Sequence, residues 1–273
     1  MEAFLTTPNP TSLPPERFDA NQAALVGQVT RIWARGGDVF ARLEALEPAE
    51  SPEQFPRITL RLPGGLVGGR EVSLLKGDRL RLSGYLADLP QDEGLRDFLR
   101  RAERLDLLER HPELAGLDGR ARRTLTCLVP ESLEPLENLP PLNSVRLEGV
   151  VARAWEYDGQ RFARLAVYDA HTAVTAAQPG KDGRPRRIPH YLSVLFPGGQ
   201  VNGRPVSVRP KDRLRVSGCL VDRPYSEDLR SFLLDAHLAD ALASLPDSDL
   251  IADLRIRRSS ACVVVQTLVQ FTG

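Results

Sequence analysis

The two halves of this chain have similar sequences. Residues 21–43 match residues 143–165 with a shift of 122, and residues 57–99 match residues 191–233 with a shift of 134. Eleven of 23 and 22 of 43 positions are identical in these two alignments. Solenoid units recur at about 20 to 50 residues and cannot bury a core alone, whereas this repeat has the length of an ordinary domain of about 100 to 150 residues. The pattern therefore predicts a tandem duplication of a whole domain.

The repeat boundaries divide the chain of 273 residues into three parts. We expect a flexible N-terminal lead at 1–20, a first domain at 21–135 and a second domain at 136–273. The lead contains several prolines and no apolar run, so the sequence predicts neither a signal peptide nor a membrane span. A soluble, cytoplasmic protein is expected.

No motif for catalysis, cofactor binding or metal binding is found in the sequence. The three cysteines, Cys127, Cys219 and Cys262, have no metal-ligand spacing and form no disulfide framework. Cys127 and Cys262 occupy equivalent apolar segments of the two repeats, which favours buried packing. No phosphate-binding loop, zinc-protease or nucleophile-elbow spacing is present. The sequence therefore predicts a protein that is not an enzyme and has no cofactor.

Alternating apolar residues predict strands in both repeats. In repeat two the alternation follows four segments, and a fifth strand is predicted from Ala261 to Gln270, equivalent to Thr124 to Val129. A 3.6-residue period before the last strand predicts a helix from Leu95 to Leu108 and from Leu229 to Leu242, with the start of a strand as the alternative for Leu229 to Leu234.

A glycine in the middle of each first strand, Gly27 and Gly149, suits a strongly curved sheet. Five short curved strands and one helix are typical of the oligonucleotide-binding (OB) fold. The predicted fold is thus mostly β, with two tandem five-stranded OB-fold barrels that each carry an accessory helix.

Four segments of repeat two carry a family resemblance. Asn-x-Val-x-Leu-x-Gly-x-Val at 143–151 is followed by Phe-Ala-Arg-Leu-Ala-Val at 162–167, His-Tyr-Leu-Ser-Val-Leu-Phe at 190–196 and Lys-Asp-Arg-Leu-Arg-Val-Ser-Gly-Cys-Leu at 211–220. This order resembles the bacterial single-stranded DNA-binding protein family over about 80 residues of each repeat. The resemblance implies a non-catalytic, largely sequence-independent binder of single-stranded DNA in replication, repair and recombination. It also implies four OB folds, which this chain reaches as a homodimer.

The sequence departs from that family in two places. The segment at 198–210 is too rich in glycine and proline for the helix expected between strands three and four. The C-terminal residues Val-Gln-Phe-Thr-Gly lack the acidic tip through which family members recruit partner enzymes.

Binding a single strand requires aromatic rings that stack on bases and cations that contact phosphates. Phe and Arg alternate on the predicted outward face of the second strand in both repeats, with further candidates on neighbouring strands and in one loop. The candidate nucleic-acid-binding residues are Trp33, Phe40, Arg42, Arg57, Arg61, Trp155, Phe162, Arg164, Tyr168, Lys181, Arg184, Arg186, Arg187 and Tyr191. The alternative for the two phenylalanines is packing under a loop or between domains. The two tryptophans share the parity of inward residues unless a bulge intervenes.

The loop at 169–190 is longer than its counterpart in repeat one and carries an excess of basic residues. The corresponding connection in repeat one contains Glu44, Glu47, Glu50 and Glu53, which repel phosphates. We therefore expect domain two to be the stronger binder, with its loop closing over the strand.

The net charge of zero, from 36 basic and 36 acidic residues, requires any nucleic-acid binding to come from local patches. Two hypotheses remain open. The chain either binds single-stranded DNA, with RNA as an alternative ligand, or serves as a structural or assembly protein that uses the same face to hold a protein partner in a DNA-processing complex.

Overall fold

The computed structural model describes residues 18–45, 57–135, 140–172, 174–175, 186–238 and 254–271. Most of these residues lie in strands. In chain order the strands are β1 (Asn21–Arg35), β2 (Asp38–Ala45), β3 (Arg57–Leu62), β4 (Leu66–Val67), β5 (Arg70–Glu71), β6 (Arg79–Gly94), β7 (Arg120–Pro135), β8 (Asn143–Tyr157), β9 (Gln160–Val167), β10 (Val174–Thr175), β11 (Arg186–Arg187), β12 (His190–Phe196), β13 (Gln200–Val201), β14 (Arg204–Pro205), β15 (Arg213–Asp228) and β16 (Arg255–Phe271). The helices are α1 (Leu95–Arg101), α2 (Asp106–Arg110), α3 (Pro112–Ala115) and α4 (Leu229–Asp235).

The five long strands of each repeat pair in a closed ring. In repeat one the order is β1-β2-β3-β7-β6, and β6 pairs back onto β1. In repeat two the order is β8-β9-β12-β16-β15, and β15 pairs back onto β8. The pairs are antiparallel except β3–β7 and β12–β16, which are parallel. This is a five-stranded arrangement of the OB type, and the prediction of a mostly β chain of this class is confirmed.

The interior of each ring is filled by the inward residues of the alternating strands. Leu25, Leu43 and Leu60 of repeat one have no solvent exposure, and Leu147 and Leu165 of repeat two have none either. The mid-strand glycines lie where β1 and β8 approach the next strand. A Cβ atom on Gly27 or Gly149 would come within 2.7 Å of a carbonyl oxygen of that strand. The glycines therefore permit the close approach that the strand curvature requires.

The segment between the third and fourth long strands contains no α-helix in either repeat. A 3-10 turn and a two-stranded hairpin, β4–β5 or β13–β14, occupy it instead. This agrees with the expectation from its glycine and proline content.

The predicted helices are present but shorter than their periodic stretch. Both α1 and α4 are seven residues long, and the backbone turns to positive φ at Glu103 and His237 just beyond them. Leu105 and Leu108 therefore fall outside α1, where α2 continues the apolar packing. The last part of the second predicted helix, from 239, lies outside the described residues.

The final strands, by contrast, are longer than predicted. Residues Asp88 to Gly94 of β6 pair with Arg120 to Thr126 of β7, although few of these residues alternate between apolar and polar. Equivalent residues of β15 and β16 form the same extension in repeat two. Each repeat thus carries a long two-stranded hairpin that projects beyond its ring.

The two repeats contact each other about a pseudo-two-fold axis. Strands β1 and β8 pair antiparallel with Ala23 opposite Val145, two positions that the duplication makes equivalent. The equivalent rings of Phe98 and Phe232 also meet, with centroids 4.8 Å apart. Such reciprocal contacts are the signature of an isologous interface.

A cluster of four charged side chains lies on the same axis. Arg123 of repeat one forms an ion pair with Glu227 of repeat two, and the equivalent Arg258 binds Glu93 at 2.6 Å. Arg258 also pairs with Glu227 inside its own repeat. All four side chains are mostly buried, so each charge depends on its partners for compensation.

Residues Asp19 and Ala20, at the end of the expected lead, contact repeat two. The Asp19 amide donates a hydrogen bond to the Tyr168 carbonyl at 3.0 Å, and its carboxylate pairs with Arg213. Residues 1–17 lie outside the described part of the chain.

Candidate nucleic-acid interface

A β-bulge places the tryptophans on the outer face of the sheet. The pairing of β1 with β2 skips one residue between Val29 and Arg31, and the pairing of β8 with β9 skips one between Val151 and Arg153. One extra residue reverses the inward and outward parity of the strand beyond it. Trp33 and Trp155 therefore leave the interior, which settles the parity question that the sequence raised.

Each tryptophan contacts an arginine of its own strand and stacks on a phenylalanine of the neighbouring strand. The Trp33 and Phe40 rings are 5.6 Å apart at an interplanar angle of 12°, and the Cζ atom of Arg31 is 5.6 Å from the Trp33 centroid. In repeat two, Trp155 and Phe162 are 5.4 Å apart at 8°. The tryptophans are half-buried and keep one part of the ring toward solvent.

The expectation that Phe40 and Phe162 are exposed is wrong. They are only 5% and 8% exposed, because a tryptophan from the neighbouring strand stacks on each ring. Phe162 also packs against Leu195 and Cys262. Both phenylalanines therefore pack against residues of their own repeat, and neither of the two alternatives, packing under a loop or between domains, describes these contacts.

A groove of about 750 Å³ opens on the β2–β3 face of repeat one. Its walls come from both repeats, since the β6–β7 hairpin borders it on one side and the β15–β16 hairpin on the other. It contains eight arginines and four carboxylates, which gives a local net charge of +4 in a chain of zero net charge. The charged residues are Arg35, Arg42, Arg57, Arg100, Arg101, Arg123, Arg257, Arg258, Asp92, Glu93, Asp97 and Asp222.

The arginines of the groove include a buried class and an exposed class. Arg123 and Arg258 are buried in the ion-pair cluster, where they connect the repeats. Arg57, Arg100 and Arg101 are 68%, 60% and 57% exposed, and their ion pairs are therefore weak and open to competition by an anion. The second class supplies cations that a ligand can reach.

Aromatic and acidic side chains also line the groove. Trp33 lies at the end formed by β1, and Tyr225, 39% exposed, comes from the β15–β16 hairpin. Burial raises the pKa of the Asp222 carboxyl, while a hydrogen bond with Ser259 and the charges of Arg42 and Arg57 act in the opposite direction.

Arg61, a predicted binding residue, has a structural contact. Its Nε donates a hydrogen bond to Asp38 at 2.7 Å, and Asp38 also accepts one from the Gly64 amide at 3.0 Å. Although burial opposes the effect, these bonds lower the pKa of Asp38. Arg61 thereby fixes the turn that follows β3.

The predicted residues of repeat two lie on the equivalent face, which the β6–β7 hairpin of repeat one crosses. Arg164 lies with Cζ 5.7 Å from the Tyr191 ring centroid and donates to the Thr124 hydroxyl at 3.2 Å. Tyr191 and Tyr168 are 39% and 40% exposed. Tyr168 lies at the end of β9, where its amide donates to Asp19.

Only part of the basic loop belongs to the described residues. Lys181 and Arg184 lie outside them, as do Glu47, Glu50 and Glu53 of repeat one. Arg186 and Arg187 form β11, which pairs with β10, and the Cζ atom of Arg187 is 4.7 Å from the Phe18 ring centroid. Closure of this loop over a strand stays a prediction.

The sequence predictions missed five exposed cationic or aromatic residues of the groove: Arg35, Arg100, Arg101, Tyr225 and Arg257. Arg35 could have been found, because it lies two residues beyond Trp33 and shares its face once a bulge is assumed. The other four reach the groove from α1 and from the β15–β16 hairpin. The helix was predicted, but the packing of the two repeats that brings these elements to the groove has no local signal in the sequence.

The prediction that Cys127 and Cys262 are packed in apolar surroundings agrees with the structure. Cys127 and Cys262 are buried, and burial raises their thiol pKa values to about 12 and about 11. Within the described ranges, no cluster of side chains could hold a metal ion. None of the helices found there is both long and apolar enough to cross a membrane.

Comparison with solved structures found several similar chains. No protein-family model matches the chain, and no curated protein sequence matches it. The chain is similar to a deletion mutant of the single-stranded DNA binding protein from Thermus aquaticus, with a TM-score of 0.49 and 15% identity over 94% of this chain and 96% of that chain. The wild-type form of that protein matches with a TM-score of 0.45 and 15% identity over 94% and 95%.

Proposed function

We propose that this protein binds single-stranded DNA without catalysis and largely without sequence preference. The observation that carries the proposal is the groove on the β2–β3 face, with its net charge of +4 and its aromatic side chains Trp33 and Tyr225. In OB folds this face and the adjoining loops bind oligonucleotides. The groove therefore lies on the face that OB folds use for binding, and it carries both the cations and the aromatic rings that a single strand requires.

The side chains can act on a strand in two ways. Exposed guanidinium groups such as Arg57 attract phosphates and release counterions, which makes affinity depend on salt. The partly exposed ring of Trp33 offers a surface on which an unpaired base can stack. Because phosphates and the faces of bases are common to all sequences, both contacts tolerate any base.

Several wider features belong to the same proposal. We infer roles in DNA replication, repair and recombination, domains at 21–135 and 136–273, and a homodimer that brings four OB folds together. Light scattering coupled to size exclusion tests the last point. A mass twice that of the 30.2 kDa chain is expected, and a monomer mass would contradict it.

The binding test uses fluorescence anisotropy of labelled dT oligonucleotides at several salt concentrations. The variant Arg57→Gln/Arg257→Gln removes two exposed groove cations, one from each repeat. The matched control Arg79→Gln/Arg81→Gln removes two exposed arginines of β6 that do not line the groove. We expect wild-type affinity to fall with salt, with a log–log slope that decreases in magnitude by about 1.4 in the groove variant and stays near wild type in the control.

Absence of binding at low salt would overturn the proposal. The protein-partner hypothesis would then take its place, although the phenylalanines that it relied on are buried. Equal loss of affinity in the groove variant and the control would show that the contact is not in the groove. The same titration with rU oligonucleotides measures the preference for DNA over RNA.

A further inference from the structure

The outer faces of the two repeats differ at positions that the duplication makes equivalent. Trp33 and Arg42 recur as Trp155 and Arg164, but some other outward positions carry a different type of side chain in each repeat. Arginine in repeat one is replaced in repeat two at three pairs of positions, Arg35/Tyr157, Arg57/Tyr191 and Arg61/Leu195. Two of the three replacements are aromatic.

The helix that borders the face shows the same change. Arg100 and Arg101 at the end of α1 correspond to Leu234 and Asp235 of α4. These positions carry a charge of +2 in repeat one and −1 in repeat two. At these helix positions the margin has therefore shifted from cationic to apolar or acidic, although Arg223, which replaces Leu89, adds a cation beside Phe162 in repeat two.

The tyrosines of repeat two are placed to form an aromatic surface. Tyr157 lies two residues beyond Trp155 on β8 and so shares its outward face. Tyr191 lies beside Arg164 on the same face, with the guanidinium 5.7 Å from its ring. Tyr157 and Tyr191 are 59% and 39% exposed, and exposing several large rings on one face costs free energy that a surface without a ligand has no reason to bear.

We propose that the two repeats divide the work of binding one strand: the outer face of repeat one contacts phosphates, and that of repeat two stacks bases. This inference rests on the proposed function and adds chemical specialisation to it. It concerns the sheet faces and their margins, and it differs from the expectation that repeat two is the stronger binder throughout.

The test compares two probes and two pairs of equivalent positions. One probe is a labelled dT oligomer, and the other is an abasic oligomer of the same length, which keeps the phosphates and lacks the bases. The variants are Arg35→Gln/Arg57→Gln in repeat one and Tyr157→Leu/Tyr191→Leu in repeat two. Tyr157→Phe/Tyr191→Phe is the matched control, because it keeps both rings.

The two variants should weaken oligonucleotide binding in different ways. Arg35→Gln/Arg57→Gln is expected to weaken both probes at low salt and to reduce the magnitude of the salt slope by about 1.4. Tyr157→Leu/Tyr191→Leu is expected to weaken dT binding by about tenfold or more, with the salt slope and the abasic affinity unchanged. The phenylalanine control should bind dT within about twofold of wild type.

A second variant protects the test against misfolding. Arg35→Tyr/Arg57→Tyr gives repeat one the side chains of repeat two at equivalent, exposed positions. It should lower the salt slope while dT binding at high salt is retained or improved. All variants are compared by thermal unfolding before titration.

The outcomes separate the two proposals. If the wild type binds neither probe, the proposed function fails and the division of work fails with it. If the wild type binds but the tyrosine variant has no effect, or lowers the salt slope and abasic affinity as the arginine variant does, the division alone is overturned.

Discussion

At the scale of single residues, two equivalent glycines, Gly84 and Gly218, leave the least room for a Cβ atom among the described glycines. The register of β6 with β7 shifts between Ser83 and Gly84, and that of β15 with β16 shifts between Ser217 and Gly218. A Cβ on Gly84 or Gly218 would overlap a carbonyl oxygen of the partner strand, and backbone cannot move aside as a side chain can. Only glycine fits opposite the bulge of the partner strand.

Gly218→Ala should therefore destabilise the fold by about 1–3 kcal/mol. Gly94→Ala is the matched control, because a Cβ there meets open space and the glycine has ordinary φ. Urea unfolding measures both. Equal midpoints for the two variants would contradict the steric explanation.

The cysteines provide a second residue-scale prediction. Burial raises the thiol pKa to about 12 at Cys127 and about 11 at Cys262, whereas Cys219 is half-buried. Since the thiolate is the reactive form, iodoacetamide at mildly alkaline pH should label Cys219 first, as peptide mass mapping can show. Denaturant should remove the difference, and early labelling of Cys127 in the folded protein would refute the prediction.

At the scale of elements, the two repeats hold their first and fourth strands together differently. Glu148 of β8 is 3% exposed and accepts hydrogen bonds from Arg213 and Arg215 of β15. The equivalent of Glu148 in repeat one is Val26, so Arg79 and Arg81 of β6 have no carboxylate at that position. Among the described residues, this buried cluster of Glu148, Arg213 and Arg215 is a feature of repeat two.

This difference predicts an acid-sensitive element in repeat two. Burial acts to raise the pKa of Glu148, but the bonds from Arg215 and Arg213 outweigh it and hold the pKa below the ordinary 4.5. A lowered folded pKa gives stability that is present above the unfolded pKa and is lost as pH falls through the folded pKa. Glu148→Gln should cost about 2 kcal/mol at neutral pH and should flatten the decline below pH 4.5.

Thermal unfolding of both proteins from neutral to acid pH measures this effect. Val26→Leu serves as the control in repeat one, since it changes a buried side chain without adding or removing a charge. Parallel acid profiles for the wild type and Glu148→Gln would rule out a contribution from this cluster.

At the scale of the whole molecule, the pseudo-two-fold contacts make one body from two repeats. The strand pair β1–β8, the rings of Phe98 and Phe232, and the four-charge cluster all lie along the axis. The groove depends on them, because two of its walls belong to different repeats. Loss of the axial contacts should therefore affect binding as well as stability.

Glu227→Gln tests the cluster. The carboxylate pairs with both Arg123 and Arg258, so its loss leaves two mostly buried guanidinium groups to share Glu93 and the exposed Asp235, and should cost about 2–3 kcal/mol. Glu156→Gln is the surface control, because Glu156 pairs with Arg161 and is 65% exposed; its loss should cost under about 1 kcal/mol. Similar urea midpoints for the two variants would show that the cluster contributes little.

The features of the fold that depend on a local sequence pattern could be predicted from the sequence. The period of two residues located the strands, and Gly27 and Gly149 indicated the curvature, because both signals act within a few residues. The outward position of Trp33 depends on a β-bulge, and no residue type in the sequence predicts that bulge. The polar extension from Asp88 to Gly94 pairs through its backbone and so leaves no hydrophobic period. The groove needed the packing of one repeat on the other, which adjacent residues do not encode.

The pairing of Ala23 with Val145 has an evolutionary consequence. A single ancestral repeat with this edge would meet a second copy of itself about a true two-fold axis, and every substitution would then appear twice. Fusion into one chain removes that constraint. Arg57 could remain on one side while Tyr191 arose on the other, so covalent linkage of two copies is what allows their two faces to follow separate histories.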